Sequence, residues 1–410
     1  MTTDEQTART APPTPYPFSD ADRLDVDPAY AQARACPALT RVQLPYGGWT
    51  WLATRYDDVK QVVGDLRFSR EQALGDDEPR VQPFTHRADA MTMMDPPEHT
   101  RLRRIVTKAF SVRRIERLRP RTREIVDELL DDIVRKGAPA DLMQAFADIV
   151  PMMVICELLG VPYEDRHRFR TWSEILGSTD AGESAEARMA RISAANDELR
   201  AYLAAMVAKR RAEPAEDLMT VLVEAHDDGE RLSEAEMVSL AWAVLLAGYE
   251  ITACEIGNFA YTLLTSPDHL EQLRREPHLL ESAVEEMLRV VPLTKGAFFA
   301  RRATEDIELG GTLVRKGEAV LPSLMSANRD ESVFPDAATM DFTRSGSSHL
   351  AFSYGIHHCL GAQLARMELQ VVVGALLERF PGLRLAVPAR EVVWRSGGIL
   401  RGPRHLPVAW

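Results

Sequence analysis

The residues around Cys359 have the types and spacing of a thiolate metal site. The segment Phe-Ser-Tyr-Gly-Ile-His-His-Cys-Leu-Gly runs from Phe352 to Gly361, and an amphipathic helical pattern begins at about the cysteine. The amino end of a helix carries partial positive charge and unpaired amide donors, which favour a thiolate over a thiol. Gly355 and Gly361 would let the backbone pass close to a flat group that a Cβ atom would strike. A thiolate here suits a haem iron, where it donates electron density and favours cleavage of the O–O bond.

The segment resembles the haem-ligand signature of the cytochromes P-450, Phe-x-x-Gly-x-His-x-Cys-x-Gly, and it matches every fixed position. A lone cysteine is more often a buried structural residue, but the complete pattern favours the iron ligand. The resemblance implies a haem-thiolate monooxygenase whose haem b, iron protoporphyrin IX, is held by Cys359 and contacted by Phe352, Gly355, His357 and Gly361. It also implies a mainly α fold with small β regions (α+β), with the haem between a long distal helix and the proximal loop that carries the cysteine.

A second motif resembles the Glu-x-x-Arg pair of the same family, at Glu286 and Arg289, with Arg344 as its third member. Glutamate and arginine three residues apart lie on one face of a helix, where a buried ion pair can form. The alternative is a surface salt bridge, which contributes little to stability. The position of the pair, between the long apolar helix and the cysteine loop, favours a structural role.

Haem carries two propionates, which need basic partners. His99 and Arg103, four residues apart on a predicted helix, resemble the family's propionate-binding pair, and Arg301 resembles the arginine that serves the propionates from a β-strand. His357 completes this set. Arginine suits a carboxylate because its planar fork can donate two parallel hydrogen bonds.

Residues 245–252 resemble the family's distal helix, in which a small residue leaves room for dioxygen and an acid–alcohol pair relays protons. Three residues match that pattern: Ala247, Gly248 and Glu250. Ile251 occupies the threonine position, and Thr252 lies one residue later. One residue is a rotation of about 100° around a helix, so Thr252 reaches the same site only if a π-bulge shifts it. The alternative is an ordinary helical threonine that bonds to the preceding turn.

The missing alcohol leads to the hypothesis that proton delivery relies on Glu250, ordered water and a hydroxyl of the substrate. Two alternatives stay open. The same scaffold could carry out peroxide-driven, coupling or rearrangement chemistry, which Ile251 favours. The chain could also be a haem sensor or carrier without turnover, although a carrier would need neither an acid over the iron nor a basic docking surface.

Basic residues are dense between 101 and 123, where Glu116 is the one acidic residue. Four of them form a candidate docking surface for an acidic electron donor: Arg104, Lys108, Arg113 and Arg114. Complementary electrostatic fields raise association rates, and the resemblance implies a ferredoxin that a separate ferredoxin reductase reduces. The alternative is a solvated helix face.

The resemblance also marks candidate walls of the substrate pocket, including the loop 70–92 and the helical region 165–195. The candidate contact residues are apolar or aromatic: Met94, Leu246, Tyr249, Leu293, Phe298, Phe299 and Ile399. We expect a fairly large apolar natural product, such as a polyketide or macrolide, because the arginine- and alanine-rich composition is typical of a GC-rich bacterial genome, with dioxygen as the second substrate.

Composition limits the remaining classes of protein. The 410 residues carry a net charge of −12, which argues against binding to nucleic acid or to an anionic membrane. The four cysteines are too widely spaced for a metal knuckle or a disulfide scaffold. Residues 1–20 have no pattern of a signal peptide or anchor and are predicted to be flexible, and residues 21–410 are predicted to form one catalytic domain. We expect a cytoplasmic monomer without a membrane segment.

Residue patterns also predict the elements that position these groups. A Pro-Tyr-Gly-Gly turn predicts a hairpin over Thr40–Ala53, and Ser233 with Glu236 has capping-box spacing at the start of a long buried helix. The other predicted elements are a helix at 57–63, a loop at 70–90, several helices in 97–223, a helix at 278–290, strands in 297–325 and a last helix from about Cys359 to Phe380.

Overall fold

The computed structural model describes residues 12–19, 23–83, 85, 87–177, 184–227, 232–346, 348–396 and 398–410. The chain divides into two compact units: unit 1 is residues 1–100 with 281–360, and unit 2 is residues 101–280 with 361–410. The predicted single catalytic domain over 21–410 stays a prediction.

The mainly α fold with small β regions is confirmed. The helices are α1 (Ala29–Ala35), α2 (Tyr56–Gly64), α3 (Glu98–Thr107), α4 (Val112–Lys136), α5 (Val150–Leu159), α6 (Arg166–Gly177), α7 (Ala185–Ala212), α8 (Leu218–Asp227), α9 (Glu234–Thr265), α10 (Pro267–Arg275), α11 (Leu280–Val290), α12 (Leu324–Ala327) and α13 (Ala362–Arg379). The strands are β1 (Thr14–Pro15), β2 (Thr40–Gln43), β3 (Trp49–Ala53), β4 (Phe68–Ser69), β5 (Ala140–Asp141), β6 (Arg301–Ala303), β7 (Ile307–Leu309), β8 (Thr312–Val314), β9 (Ala319–Pro322), β10 (Arg384–Leu385), β11 (Val393–Trp394), β12 (Pro403–His405) and β13 (Pro407–Ala409).

Unit 1 is built around a six-stranded sheet with the order β1-β2-β3-β9-β6-β4. β2 and β3 form the predicted hairpin, with Thr40 opposite Leu52. Val59 of α2 joins the sheet residues Trp51 and Val320 in one buried apolar core. This sheet holds β4 and β6 side by side, so the residues that follow β4 lie near those of β6.

The segment before α1 departs from the prediction. Residues 1–11 and 20 of the predicted flexible segment lie outside the described residues. Within 12–19, β1 pairs with β2 in parallel and Tyr16 is 3% exposed. The Tyr16 hydroxyl accepts a hydrogen bond from the Ala297 N–H at 2.6 Å. The prediction is wrong for residues 12–19, because one aromatic side chain buried by distant residues leaves no periodic pattern in a Thr- and Pro-rich stretch.

Unit 2 is mainly helical, with α9 at its centre. The predicted capping box is present: the Ser233 N–H donates to Glu236 Oε2 at 2.7 Å, and the Glu236 N–H donates to Ser233 Oγ at 3.2 Å. α9 packs against α5, α7 and α13, and α13 packs against α4. Two small sheets, β10-β13-β5 and β11-β12, also belong to this unit.

By length and composition alone, α9 could cross a membrane. Its most apolar 18-residue window has a mean hydropathy of 1.6, and 50% of that window is buried. The core helix of a globular protein passes the same test, and α9 packs against three helices of unit 2. This helix is therefore weak evidence for a membrane segment.

Candidate active site

Cys359 lies in a loop just before α13, which begins at Ala362 and not at about the cysteine as predicted. A 3-10 turn at Gly355–His357 precedes it, and the Cys359 N–H donates to the Phe352 carbonyl at 2.8 Å. These bonds close the loop into a tight turn, so the α-helical pattern starts later than the sequence suggests. The cysteine is exposed. The thiol is therefore presented by a loop at the amino end of a helix.

The two glycines of the cysteine loop have different roles. Gly355 has φ +72°, and a Cβ atom there would lie 2.8 Å from the carbonyl oxygen of Val63 in α2. Gly355 therefore lets the loop pack on α2, and its predicted contact with a flat ligand stays a prediction. At Gly361 a Cβ atom would meet no atom of the described residues within 4 Å, so this position has open space beside it.

Three of the four predicted propionate partners lie in unit 1: His99, Arg301 and His357. His99 is 2% exposed, and its ring centroid lies 4.4 Å from that of His357. Arg301, on β6, is 2% exposed and donates from Nη1 to the Phe68 carbonyl at 3.4 Å. Its Nε and Nη2 atoms are buried, and no described residue accepts a hydrogen bond from them. A buried guanidinium with unused donors fits a carboxylate of a bound molecule, so these residues fit the propionates of a haem.

Arg103, the fourth predicted propionate partner, is half-buried on α3, four residues after His99. Sequence reasoning missed Arg70 and Asp95, which lie beside the others in unit 1. The Arg70 N–H donates to Asp95 Oδ1 at 3.1 Å, and the His99 N–H donates to the Asp95 carbonyl at 3.0 Å. The available signal was a basic residue directly after a short β-like run, which is too common in proteins to indicate a site.

Glu286, Arg289 and Arg344 form the predicted group, and it is buried. Arg289 binds Glu286 through two parallel bonds of 2.8 and 2.7 Å, with the two side chains 2% and 4% exposed. Arg344 Nε donates to Glu286 Oε1 at 3.1 Å. Arg289 Nη1 also donates to the carbonyls of Asn328 and Ala337, each at 2.7 Å. The group joins α11 to the loops before the cysteine segment, which rules out the alternative of a surface salt bridge.

The exposed strip of α9 carries Ala247 and, one turn later, Ile251. α9 is an α-helix throughout Glu234–Thr265, so the π-bulge that would bring Thr252 to the site is absent from it. Ile251 is 40% exposed, whereas Thr252 is 6% exposed. This corrects Thr252 as a catalytic candidate, because an unbroken helix turns its side chain towards the core.

Gly248 lies where α9 packs on α5, and its predicted role in leaving space for dioxygen stays a prediction. A Cβ atom at this position would lie 2.9 Å from Ile155 Cδ1 of α5. The glycine therefore allows α5 and α9 to approach closely. Ala247 is left as the small residue on the exposed strip.

Glu250 belongs to an ion-pair group that sequence reasoning missed. Arg395, which follows β11, donates to Asp148 Oδ1 at 2.9 Å and lies 3.5 Å from Glu250 Oε1. Burial raises the pKa of Glu250, and the positive charge of Arg395 opposes that rise. Glu250 therefore keeps its proton to a higher pH than a free glutamate does. The three residues are far apart in the sequence, so no motif indicates the group.

Two more acidic side chains are buried in unit 2, Glu255 on α9 at 6% exposure and Glu368 on α13 at 2%. In each, Oε2 has no hydrogen-bond partner among the described residues. Burial raises the pKa of Glu255 to about 8 and also raises that of Glu368. Sequence reasoning missed both, because a glutamate within a helix is usually on the surface.

The candidate substrate residues are all half-buried. Those in unit 1 are Met94, Leu293, Phe298 and Phe299, and those in unit 2 are Leu246, Tyr249 and Ile399. The ring centroids of Phe298 and Phe299 are 4.3 Å apart. Residues 178–183 of the predicted wall 165–195 lie outside the described residues. The roles of these residues in binding stay predictions.

Many arginines of segment 101–123 are paired with acidic residues from other parts of the chain. These pairs are Arg101–Glu236, Arg117–Glu216, Arg121–Glu157 and Arg123–Glu378. Arg113 is exposed and Arg114 half-buried, and neither has an ion pair within the described part of the chain. Arg104 and Lys108 are exposed too. A solvated, paired helix face therefore explains the later arginines, and the candidate docking surface keeps its four predicted residues.

Comparison with known proteins identifies the family of the chain. The chain matches the cytochrome P-450 family model over residues 49–385. The nocardicin C N-oxygenase of Nocardia uniformis subsp. tsuyamanensis is 51% identical over 396 residues, 96% of this chain and 98% of the relative. The mycinamicin IV hydroxylase/epoxidase of Micromonospora griseorubida is 47% identical over 400 residues, 98% of this chain and 99% of the relative. The crystal structure of the LnmA cytochrome P-450 hydroxylase, from the leinamycin biosynthetic pathway of Streptomyces atroolivaceus S-140, has a TM-score of 0.91 and 50% identity, over 97% of this chain and 100% of that chain.

Both curated relatives are named as enzymes, and each spans nearly the whole chain. The interpretation as a haem sensor or carrier without turnover is therefore wrong. The match of the family model and the identity of about half over nearly full length leave one conclusion. This chain belongs to the cytochrome P-450 family and is a monooxygenase, of the kind that holds its haem iron by a cysteine.

Proposed function

We propose that the protein binds haem b through the Cys359 thiolate and inserts one oxygen atom of dioxygen into an apolar natural product, such as a polyketide or macrolide. The observation that carries the proposal is the exposed cysteine loop in the same unit as the buried, incompletely bonded guanidinium of Arg301. The relatives support a natural product as the substrate, since one is named for mycinamicin IV and another for nocardicin C.

When bound, the haem supplies the oxidising chemistry, in which a substrate, dioxygen, two electrons and two protons give the oxygenated product and water. The residues of the chain bind, orient and deliver protons. Cys359 ligates the iron, and a basic set binds the propionates: His99, Arg103, Arg301 and His357. Phe352 and Gly361 complete the proximal loop. The buried group around Glu286 keeps that loop in place.

Glu250 is the proton-holding residue on α9. Its carboxyl keeps a proton to higher pH because it is partly buried, and Arg395 orients Oε1 from 3.5 Å. Ile251 supplies no hydroxyl on the exposed strip. Ordered water and a hydroxyl of the substrate therefore complete the path from Glu250.

Replacing Ile251 with threonine is expected to change the amount of product formed per electron consumed, because it adds a hydroxyl at an exposed position of α9. Product formed per electron consumed is measured with a substrate that is first identified by the shift it causes in the haem absorbance. Ile251→Val matches threonine in shape without a hydroxyl, so it separates the effect of the hydroxyl from that of size. Unchanged coupling and rate in Ile251→Thr would show that the missing alcohol is irrelevant.

Ile251 also favours a second candidate function on the same scaffold, namely peroxide-driven, coupling or rearrangement chemistry. Turnover under isotopically labelled dioxygen distinguishes the two. Oxygenation places one labelled atom in the product. A coupling or rearrangement product carries no label.

The proposed electron donor is a ferredoxin reduced by a separate ferredoxin reductase, and the enzyme acts as a cytoplasmic monomer. Reversing the charge of Arg113 and Arg114 to glutamate is expected to slow reduction of the haem by roughly tenfold at low salt, because the attractive field is lost. The rate is measured by rapid mixing with reduced ferredoxin. The difference shrinks at high salt, since exposed charges are screened.

Arg135→Glu is the matched control. Arg135 lies at the other end of α4, where its side chain is 73% exposed and paired with Asp132. Its charge reversal is expected to leave the reduction rate close to that of the wild type. If the Arg113 and Arg114 variant behaves like this control at low salt, these residues do not dock the donor.

A further inference from the structure

Arg70 is a buried arginine that the predicted haem site does not use. It directly follows β4, is 7% exposed, and donates from Nη1 to the Thr92 carbonyl at 2.7 Å. Its Nε atom is buried, and no described residue accepts a hydrogen bond from it. A charged group removed from water is costly unless it is paired. Arg70 therefore has donor capacity that the described protein groups leave unused.

Arg301 lies beside Arg70 and has the same property. β4 and β6 are antiparallel neighbours, with Ser69 opposite Arg302, so Arg70 and Arg301 extend from adjoining strand positions. The Nε and Nη2 atoms of Arg301 are also buried without a partner among the described residues. Two guanidinium groups with three unused donor atoms thus lie at one edge of the sheet.

The acidic residue that acts on both guanidinium groups is Asp95. Its carboxylate already accepts hydrogen bonds from the Arg70 N–H and the Ser69 hydroxyl. Burial, and then the positive charge of Arg301, lowers the pKa of Arg70 to about 9 despite Asp95. Positive charge therefore exceeds negative charge in this group of described residues.

The orientation of Arg70 is restricted by an aromatic ring. Its guanidinium carbon lies 4.7 Å from the centre of the Phe299 ring. Arginine stacks on aromatic faces while its edge remains available for hydrogen bonds, and that edge matches a carboxylate. Phe299 is also a candidate substrate residue, so the stacked pair joins the predicted haem contacts to the predicted substrate wall.

We propose that Arg70 is a carboxylate-binding residue, which acts with Arg301 on a carboxylate of a bound molecule. The proposal rests on the proposed function, because the carboxylate comes either from a propionate of the haem or from an organic substrate. Both sources offer the same planar acceptor with two oxygen atoms to the buried guanidinium groups. The residue that follows β4 is therefore assigned to ligand binding.

The first arm of the test examines the haem. In holoenzyme carrying Arg70→Gln, transfer of haem to apomyoglobin is expected to be about tenfold faster and the reduction potential lower, because a charge-assisted bond to the propionate is lost. Arg70→Lys keeps the positive charge but loses the planar guanidinium that can donate two parallel hydrogen bonds. Its reduction potential is therefore expected to be closer to that of the wild type than its rate of haem transfer is. Arg67→Gln is the control, since Arg67 precedes β4 and its side chain is 47% exposed.

The second arm examines a substrate carboxylate. The shift of the haem absorbance is titrated with 4-phenylbutanoic acid and with its methyl ester as probes. If the carboxylate comes from the substrate, the wild type binds the acid more tightly than the methyl ester. Arg70→Gln then loses this difference in affinity, and its rate of haem transfer equals that of the wild type.

The proposal is overturned if Arg70→Gln equals the wild type in haem transfer, reduction potential and preference between acid and ester. A wild type without a thiolate-ligated haem spectrum would instead contradict the proposed function, so the two failures are distinguishable. Far-ultraviolet circular dichroism confirms that each variant is folded. If Arg70→Gln does not fold, Arg70→Lys provides the comparison in both arms.

Discussion

Glu286→Gln is expected to lower the free energy of unfolding of the holoenzyme by about 3–5 kcal/mol, because it leaves the buried charge of Arg289 uncompensated. The Arg289 side chain is 2% exposed, and its two parallel bonds to Glu286 are 2.8 and 2.7 Å long. Arg344 and the Asp341 N–H also donate to Glu286 Oε1, at 3.1 and 3.0 Å. Glutamine preserves the shape but removes the charge. Urea unfolding, followed by circular dichroism and haem absorbance, measures the loss.

Glu281→Gln is the matched control on the same helix. Glu281 is exposed in the first turn of α11, so its replacement is expected to change the stability by less than about 1 kcal/mol. Loss of haem absorbance at lower urea in Glu286→Gln would show that the ion-pair group supports the cysteine loop. Equal stability of the two variants would contradict the assigned structural role.

Glu250→Gln is expected to lower turnover by about 10²-fold, since a positioned acid contributes roughly that factor or more to proton transfer. The protonated carboxyl is the donor, so turnover of the wild type falls as the pH rises through the pKa of Glu250. Burial raises that pKa. Glutamine cannot donate in this way, so the fall with pH disappears along with most of the rate.

Arg395→Gln tests the direction of the same effect. Arg395 opposes the raised pKa of Glu250, so removing its positive charge raises that pKa further and moves the fall in turnover to higher pH. Glu234→Gln, at an exposed position at the start of α9, is expected to leave the pH profile unchanged. A profile that moves to lower pH in Arg395→Gln, or that is identical in Glu250→Gln, would contradict this role of Glu250.

Local sequence signals predict much of the fold and of the buried ion-pair group around Glu286. The hairpin over β2 and β3 follows from a turn tetrapeptide, and the start of α9 follows from the capping box of Ser233 and Glu236. The group of Glu286, Arg289 and Arg344 follows from a motif with fixed spacing. Each of these features depends on residues close in the sequence or on a pattern that the family shares.

The residues that were missed depend on contacts between distant parts of the chain. Arg395 meets Glu250 across 145 positions and Asp148 across 247, and no periodicity records such a contact. The ion pairs of Arg101 and Arg121 in the basic segment 101–123 were missed for the same reason, because their partners are the distant residues Glu236 and Glu157. The direction of the Thr252 side chain could not be predicted from the sequence, because it depends on whether α9 contains a π-bulge.

The most direct test of the central claim is the absorbance spectrum of the reduced, carbon-monoxide-bound protein. A thiolate ligand from Cys359 gives a strongly red-shifted Soret band, and we expect that band in the wild type and its loss in Cys359→Ala. Cys36→Ala, at the other exposed cysteine, is expected to keep the band. A spectrum typical of a histidine-ligated haem, or a red-shifted band that survives in Cys359→Ala, would contradict the assignment of Cys359 as the iron ligand.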